Sequence, residues 1–159
     1  MQIGVIGESY PSDEGKKLAF EVGEEIAKAG AILICGGLGG IMESACCGAK
    51  SQGGLTIGIL PGTAKTSANP YIDIPIVTGL DQARNIIIVR SCEAIIAIEG
   101  SYGTLSEMAF CLKLNVPLIG LRTWHLERRN HEKPPIIYAQ TAKEAVGLGI
   151  KFAQSNYLQ

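Results

Sequence analysis

Short apolar runs that alternate with longer amphipathic segments constrain the fold of this chain more than any other feature. The first run covers 2–6 and stops at Gly7, and a second, 31–35, has glycines on both sides. Runs of this length are too short for helices and are typical of strands that are buried on both faces of a sheet. Each run therefore predicts a strand that ends in a tight turn.

The segment between these two runs has the pattern of a helix that packs on a sheet. Leu18, Val22 and Ile26 recur at every fourth position after Ser12 or Asp13, either of which can cap the helix. The same alternation continues, and predicts helices near 40–52, at 80–91, at 104–114 and at 141–154, and strands near 55–60, near 74–77, at 94–98 and at 117–121. This order predicts an α/β fold, a three-layer Rossmann-like domain with a mainly parallel sheet and helices on both faces, over 1–159 as a single domain.

Charge and hydropathy argue against two classes of partner. The net charge is -1, and no run of Lys or Arg is longer than a pair, so the sequence lacks the basic footprint of a nucleic-acid-binding protein. No apolar segment approaches the roughly 20 residues that span a bilayer, and the amino terminus lacks a secretion signal. We therefore expect a cytoplasmic protein with neither nucleic-acid nor membrane partners.

The cysteines and histidines do not predict a metal site. His125 and His131 fall in a polar stretch at 122–135 without the paired spacing of metal ligands, and are expected to be solvated. The cysteines are odd in number, lie in apolar surroundings and include no C-x-x-C pair, so most are predicted to be core residues. They are Cys35, Cys46, Cys47, Cys92 and Cys111.

Two glycine-rich turns suggest an anion site. Strand 31–35 runs into glycines at 36, 37, 39 and 40 before a helix, and strand 94–98 runs into Gly100 to Thr104 before another. Backbone amides and the dipole at a helix start favour a bound anion, and two such turns on neighbouring strands would form one pocket. Neither turn matches the dinucleotide or Walker pattern, so tight turns without a ligand stay open as an alternative.

Two charged residues stand out in their surroundings. Arg84 lies in a mostly apolar segment, where a buried guanidinium needs an anionic partner, although it could instead face solvent on the outside of its helix. Glu107 follows Thr104 at the spacing of a capping box, in which it would only stabilise the helix start. Both alternatives stay open from the residues alone.

These motifs, in this order and spacing, resemble the Lonely Guy (LOG-like) superfamily, once described as possible lysine decarboxylases. Within it the sequence is most similar to the molybdenum-cofactor carrier-like branch of Rossmann-fold nucleotide-binding proteins. The resemblance covers roughly 2 to 121. It is carried by Gly7-Glu8-Ser9, Gly36-Gly37 with Gly40-Ile41-Met42, Ile57 to Pro61, Ala83-Arg84-Asn85, and Gly100 to Glu107.

The resemblance implies a phosphorylated ligand and an activity that acts on it. Enzymes of the superfamily hydrolyse the N-glycosidic bond of a nucleoside 5′-monophosphate, releasing the base and ribose 5-phosphate. By position, Glu107 would activate water and Arg84 would orient the sugar or that carboxylate. The residues implied in ligand and phosphate binding are Gly7, Glu8, Ser9, Gly36, Gly37, Gly39, Gly40, Met42, Gly100, Ser101, Tyr102, Gly103 and Thr104.

The sequence departs from the enzyme pattern at three positions, and these departures favour a second hypothesis for the function. Glu99 replaces a proline, Ser101 replaces a glycine and Asn85 replaces a lysine, and a carboxylate at 99 is expected to repel phosphate. The carrier-like branch holds the molybdenum cofactor, a pterin with a terminal phosphate, without turning it over. The main hypothesis is thus binding of a phosphorylated small molecule, a nucleotide, with hydrolysis of the N-glycosidic bond of a nucleoside 5′-monophosphate as its catalytic form. The alternatives are a molybdopterin carrier or nucleotide sensor, and a scaffold whose glycines only make turns. Neither the main hypothesis nor the carrier hypothesis requires a cofactor, because the molybdenum cofactor would be a carried ligand.

The sequence also predicts self-association. The run at 86–89 is more apolar than one helix face against a sheet requires, so we expect a second subunit to cover part of it in a homodimer or homotetramer. The base or pterin would be selected by loops at 8–13, 62–72 and 122–135.

Overall fold

The strands of the fold are short runs of apolar residues that pair into one sheet. The computed structural model describes residues 1–127, 129 and 133–156, so His131 lies outside the described part. Within this part seven strands pair, and every pair is parallel. The strands are β1 (Gln2–Gly7), β2 (Ile32–Cys35), β3 (Thr56–Leu60), β4 (Ile74–Val77), β5 (Ala94–Ile98), β6 (Leu118–Leu121) and β7 (Ile136–Tyr138).

Helices cover both faces of this sheet. They are α1 (Asp13–Lys28), α2 (Ile41–Ser51), α3 (Asn85–Arg90), α4 (Tyr102–Leu114) and α5 (Ala142–Asn156). One hydrophobic cluster joins the sheet to α1, α2 and α5, and a second joins the opposite face to α3 and α4. Because side chains of a strand alternate between faces, Ile96 packs in the first cluster and its neighbour Ala97 in the second. The predicted three-layer Rossmann-like α/β fold is confirmed.

The order of the strands places a crevice at one edge of the sheet. The order is β4-β3-β2-β1-β5-β6-β7, so the chain moves outward from β1 in one direction and then returns to continue from β5 in the other. In open parallel sheets ligands bind above the carboxyl ends of the strands at such a reversal. Here that position lies between β1 and β5, which pair up to Gly7 and Ile98.

Several helices and strands differ from those predicted from the sequence. The predicted helix at 80–91 is divided into a short 3-10 helix, Asp81–Arg84, and the six-residue α3. Helix α4 begins at Tyr102, before the expected position 104. Strand β7 was not predicted, because its three residues directly follow Pro135 and the polar stretch hides them.

None of the helices in the described part of the chain is both long and apolar enough to cross a membrane.

Candidate functional site

A cavity of about 490 Å³ opens at the reversal between β1 and β5. The end of β1 forms its floor, and the turn between β5 and α4 forms one wall. The loop after β2 and the 3-10 helix before α3 supply the remaining sides. The lining residues are Val5, Ile6, Gly7, Ser9, Leu38, Met42, Gln82, Arg84, Asn85, Ser101, Tyr102, Gly103, Thr104, Ser106 and Glu107.

Arg84 is buried in this cavity and is not saturated with partners. The residue is 7% exposed, which rules out the alternative of a solvent-facing arginine. Its Nη1 donates to Oδ1 of Asn85 at 2.6 Å and lies 3.5 Å from Oε1 of Glu107. Its Nε is buried and has no hydrogen-bond partner among the described residues. A buried donor without an acceptor is costly, so this guanidinium retains the capacity to bind an anion.

Gly36 provides the space in which the guanidinium lies. A Cβ at position 36 would stand 2.6 Å from Nη2 of Arg84 and 2.8 Å from Sδ of Met42. Any larger residue would therefore displace the arginine. The role of Gly36 is to admit Arg84, and it does not itself line the cavity.

Glu107 carries a pKa that suits proton exchange near neutrality. It is 7% exposed, and burial raises the pKa of its carboxyl to about 7, while the neighbouring charge of Arg84 opposes this rise. Burial in turn lowers the pKa of Arg84. The capping-box alternative is wrong, because α4 begins at Tyr102 with Ser101 as its N-cap, so Thr104 is already inside the helix. Glu107 is thus a buried acid beside a buried cation.

A chain of hydrogen bonds connects Arg84 to the start of α4. Asn85, which accepts from Arg84, donates through Nδ2 to Oγ of Ser106 at 2.7 Å. Ser106 donates to the carbonyl of Gly103 at 2.8 Å. Asn85 therefore occupies the place of the expected lysine as a link that fixes the guanidinium relative to the helix start.

The start of α4 is open to an anion. Two successive residues with positive φ, Glu99 at 49° and Gly100 at 119°, turn the chain sharply from β5 into the helix. Ser101, the N-cap residue, makes no side-chain capping bond. The N–H groups of a first helical turn lack intrahelical acceptors, and a Cβ at Gly103 would meet no described atom within 4 Å. These N–H groups can therefore donate hydrogen bonds to a phosphate.

The carboxylate of Glu99 does not face the cavity, contrary to the expected repulsion of phosphate. It accepts from the backbone N–H of Ser12 at 3.0 Å and from the Ser12 hydroxyl. A Cβ at Gly15 would lie 2.5 Å from this carboxylate. Glu99 thus sits at the N-terminus of α1, where the helix dipole favours a negative charge.

The two glycine turns are not on neighbouring strands, because β1 lies between β2 and β5. The turn after β2 is partly used within the protein, since the N–H of Ile41 at the start of α2 donates to the carbonyl of Glu8 at 2.9 Å. Gly40, with φ of 70°, packs its backbone against the carbonyls of Glu8 and Ser9. This turn supports the loop after β1 and contributes Leu38 to the cavity, while Met42 reaches it from the first turn of α2.

Most of the residues predicted from the sequence gather around the cavity. Those that line it are Gly7, Ser9, Met42, Arg84, Ser101, Tyr102, Gly103, Thr104 and Glu107. Those outside its described lining are Glu8, Gly36, Gly37, Gly39, Gly40 and Gly100. The sequence reasoning missed Val5, Ile6, Leu38, Gln82, Asn85 and Ser106 as lining residues. Asn85 and Ser106 could have been found as immediate neighbours of Arg84 and Glu107, whereas apolar strand ends look like core.

The described residues contain no group of three or more His, Cys, Asp or Glu side chains that could hold a metal ion. His125 is exposed, and its ring stacks on Tyr138 with centroids 4.4 Å apart. Cys47 is partly exposed, and the other four cysteines are buried, as expected of core residues.

Comparisons with known proteins give the chain a family and close structural relatives. The model of the SLOG cluster4 family matches residues 1–146. The molybdenum cofactor binding protein of the bacterium Rippkaea orientalis is 34% identical, with a TM-score of 0.84 over 99% of this chain and 97% of that chain. The molybdenum cofactor carrier protein of Chlamydomonas reinhardtii is also 34% identical, with a TM-score of 0.83 over 97% and 98%. An uncharacterised protein of Archaeoglobus fulgidus is 44% identical over 151 residues, which is 92% of each chain.

Proposed function

The chain belongs to the SLOG cluster4 family. From its cavity and its structural relatives, we propose that it binds the molybdenum cofactor and carries it without chemical change. The observation that carries the proposal is the buried Arg84, whose Nε has no partner among the described residues and which lines the cavity. The names of the Rippkaea and Chlamydomonas proteins, which bind or carry this cofactor, support the choice of ligand.

The residues present suit a pterin that carries a phosphate. Arg84 and the open first turn of α4 supply cationic and N–H donors for the phosphate. The hydroxyls of Ser9, Ser101 and Thr104 line the same cavity and add neutral donors. A cavity of about 490 Å³ lies within the range of roughly 300–1,000 Å³ that is common for small-molecule sites, and far exceeds the needs of phosphate alone.

The test is capture of the cofactor by the purified protein. The protein is incubated without oxygen with cofactor released from a molybdenum enzyme and is then separated by size exclusion. Molybdenum is measured by mass spectrometry and the pterin by fluorescence after oxidation. We expect both to elute with the protein, and the recovered pterin to be unaltered.

A matched pair of arginine variants makes this test specific. Arg84→Gln is expected to lose the bound cofactor, whereas Arg90→Gln, at the exposed end of α3, is expected to retain it. Circular dichroism checks that both variants fold. Equal retention by the two variants, or no capture by the wild type, would contradict the proposal.

Hydrolysis of a nucleoside 5′-monophosphate is a second candidate, favoured by the acid–base character of Glu107. A carboxyl with a pKa of about 7 can accept a proton from water in its ionised form. Arg84, 3.5 Å from that carboxyl, would orient it or the ribose, and the start of α4 would bind the phosphate. The finding that Glu99 faces α1 removes one objection to this chemistry.

A panel of nucleoside monophosphates distinguishes the two functions. The wild type and Glu107→Gln are incubated with each nucleotide, and free base and ribose 5-phosphate are measured by chromatography. Release that disappears in the variant would establish a phosphoribohydrolase. Binding without release in both proteins would support a carrier or a nucleotide sensor.

A further inference from the structure

One aromatic side chain at the cavity is left almost entirely in solvent. Tyr102 is 81% exposed, although it lines the cavity and is the first residue of α4. A ring so exposed adds little apolar burial to the fold. The backbone of this position serves the helix start, so the side chain is free to serve a ligand.

The ring of Tyr102 has a support behind it. Trp124 lies beside it, with ring centroids 6.1 Å apart and an angle of 34° between the planes. Trp124 belongs to the segment after β6, which is held in place at two points. Its carbonyl accepts from the hydroxyl of Tyr138 at 2.9 Å, and the hydroxyl of Thr123 donates to the carbonyl of Glu99.

We infer that Tyr102, supported by Trp124, is the stacking platform for the planar ring of the ligand, and so determines specificity for ring-bearing phosphates over plain ones. The inference rests on the proposed function, namely that the cavity takes a phosphorylated small molecule. Aromatic rings stack in offset or tilted arrangements, and a tyrosine face is a preformed surface for a flat heterocycle.

The neighbours of Tyr102 provide the second half of the recognition. Ser101, Gly103 and Thr104 adjoin it at the open start of α4, where a phosphate would bind. Adjacent residues at the start of α4 would thus contact the ring and the phosphate of the ligand. The open space at Gly103 leaves room for the ligand to bend from the amides to the tyrosine ring.

The test compares two ligands that share a phosphate and differ in the ring. The phosphate ester of hydroxymethylpterin carries a flat heterocycle, and ribose 5-phosphate does not. Calorimetry gives the dissociation constant of each ligand for the wild type, Tyr102→Ala and Tyr102→Phe. Leu55→Ala is the control, since Leu55 is 40% exposed, directly precedes β3 at the amino ends of the strands and lies outside the described lining of the cavity.

Tyr102→Ala is expected to weaken the pterin phosphate by roughly tenfold or more, the scale of one stacked ring, and to leave ribose 5-phosphate unchanged. Tyr102→Phe and Leu55→Ala should bind both ligands like the wild type. Urea denaturation checks that each variant keeps the stability of the wild type.

Two outcomes would overturn the inference while leaving the proposed function intact. In the first, Tyr102→Ala binds the pterin phosphate as tightly as the wild type. In the second, it weakens both ligands equally, which would mean that the residue shapes the phosphate turn. Failure of the wild type to bind either ligand would also overturn the inference, whereas the proposed function stands or falls with the separate capture of the molybdenum cofactor.

Discussion

At the scale of single residues, the contact between Arg84 and Glu107 is the most informative in the molecule. The pair is buried, and Nη1 stands 3.5 Å from Oε1, which is long for a charge-assisted hydrogen bond. Asn85 takes the shorter bond of 2.6 Å to the same nitrogen. The guanidinium is therefore positioned by its neighbour in sequence and only partly neutralised by the acid, which suits a site that must attract an anion.

Replacing Arg84 by Gln is expected to weaken binding of a phosphate ligand by about 10- to 100-fold, because a hydrogen bond to a charged group contributes about 1.5–3 kcal/mol. Arg84→Lys keeps the charge but loses the planar fork, and should fall between the variant and the wild type. Calorimetric titration with the phosphate ester of hydroxymethylpterin measures the three constants. Wild-type affinity in Arg84→Gln would show that the ligand binds elsewhere.

Glu107 is expected to make the stability of the protein depend on pH in an unusual direction. Burial raises its pKa from an ordinary 4.5 to about 7, so between these values the folded protein holds a proton that the unfolded chain releases. The free energy of unfolding should therefore fall as pH rises through this interval. In Glu107→Gln that component is absent. Urea denaturation of both proteins across the interval measures it, and parallel pH profiles would refute the raised pKa.

The sequence is sufficient to single out these two residues, but it does not predict the direction in which other side chains point. Arg84 and Glu107 stand out as charged residues in apolar surroundings and match the motifs of the resembling superfamily. The expectation that the Glu99 carboxylate repels phosphate is wrong. The direction of this side chain depends on a positive φ of 49° and on the position of α1, and a sequence motif contains neither. Gly36 was expected to contact ligand, whereas it makes room for Arg84.

At the scale of elements, α1 depends on capping from outside its own segment. Ser12 is its N-cap and accepts from the N–H of Gly15 at 2.9 Å, while the carboxylate of Glu99 accepts from Ser12. A strand end and a helix start are thereby joined across the sheet edge. Asp13 and Glu14 add negative charge to the first turn, which the helix dipole favours.

Ser12→Ala is expected to reduce the free energy of unfolding by about 1–2 kcal/mol, since it removes an N-cap hydroxyl and a partner of Glu99. The exposed Ser67, in a short 3-10 helix, offers a control whose replacement by Ala should stay within about 0.5 kcal/mol of the wild type. Guanidinium denaturation measures both. If the two variants unfold alike, the cap does not stabilise α1 as the contacts imply.

Elements with a strong pattern were predictable, and elements that depend on partners were not. The strands β1 to β6 are predictable because a short apolar run between two turns is typical of a buried strand. Strand β7 has three residues and exists because it pairs with β6, so its signal is mainly tertiary. The two helical segments within 81–90 meet at Arg84 and Asn85, and the burial of both residues is likewise not revealed by periodicity.

At the scale of the whole molecule, the structure changes the surface through which the predicted self-association would occur. Ile88 and Val89 are fully buried by the chain itself, so that half of the run at 86–89 does not need a second subunit. Large apolar side chains are exposed elsewhere, on the edge strand β4 and just after it. These are Ile74, Ile76, Val77 and Leu80.

We expect light scattering at micromolar concentration to give the mass of a dimer or a tetramer, because exposed apolar clusters mark association sites. Replacing Ile76 and Leu80 together by Lys should lower that mass. Ile137→Lys, on the opposite edge strand β7, should leave it unchanged. A monomeric wild type would refute the proposal, and loss of mass only in Ile137→Lys would move the interface to the other edge.

The contact of Glu99 with Ser12 has a consequence for dinucleotide ligands. In dinucleotide-binding domains with a similar strand reversal, the pyrophosphate rests on the N-terminus of the helix after the first strand. Here a side chain already supplies the negative charge at that helix, and a pyrophosphate would meet a carboxylate in its place. The start of α1 is thus already paired with an anionic group of the chain itself, and we expect NAD and FAD not to bind there in titration calorimetry.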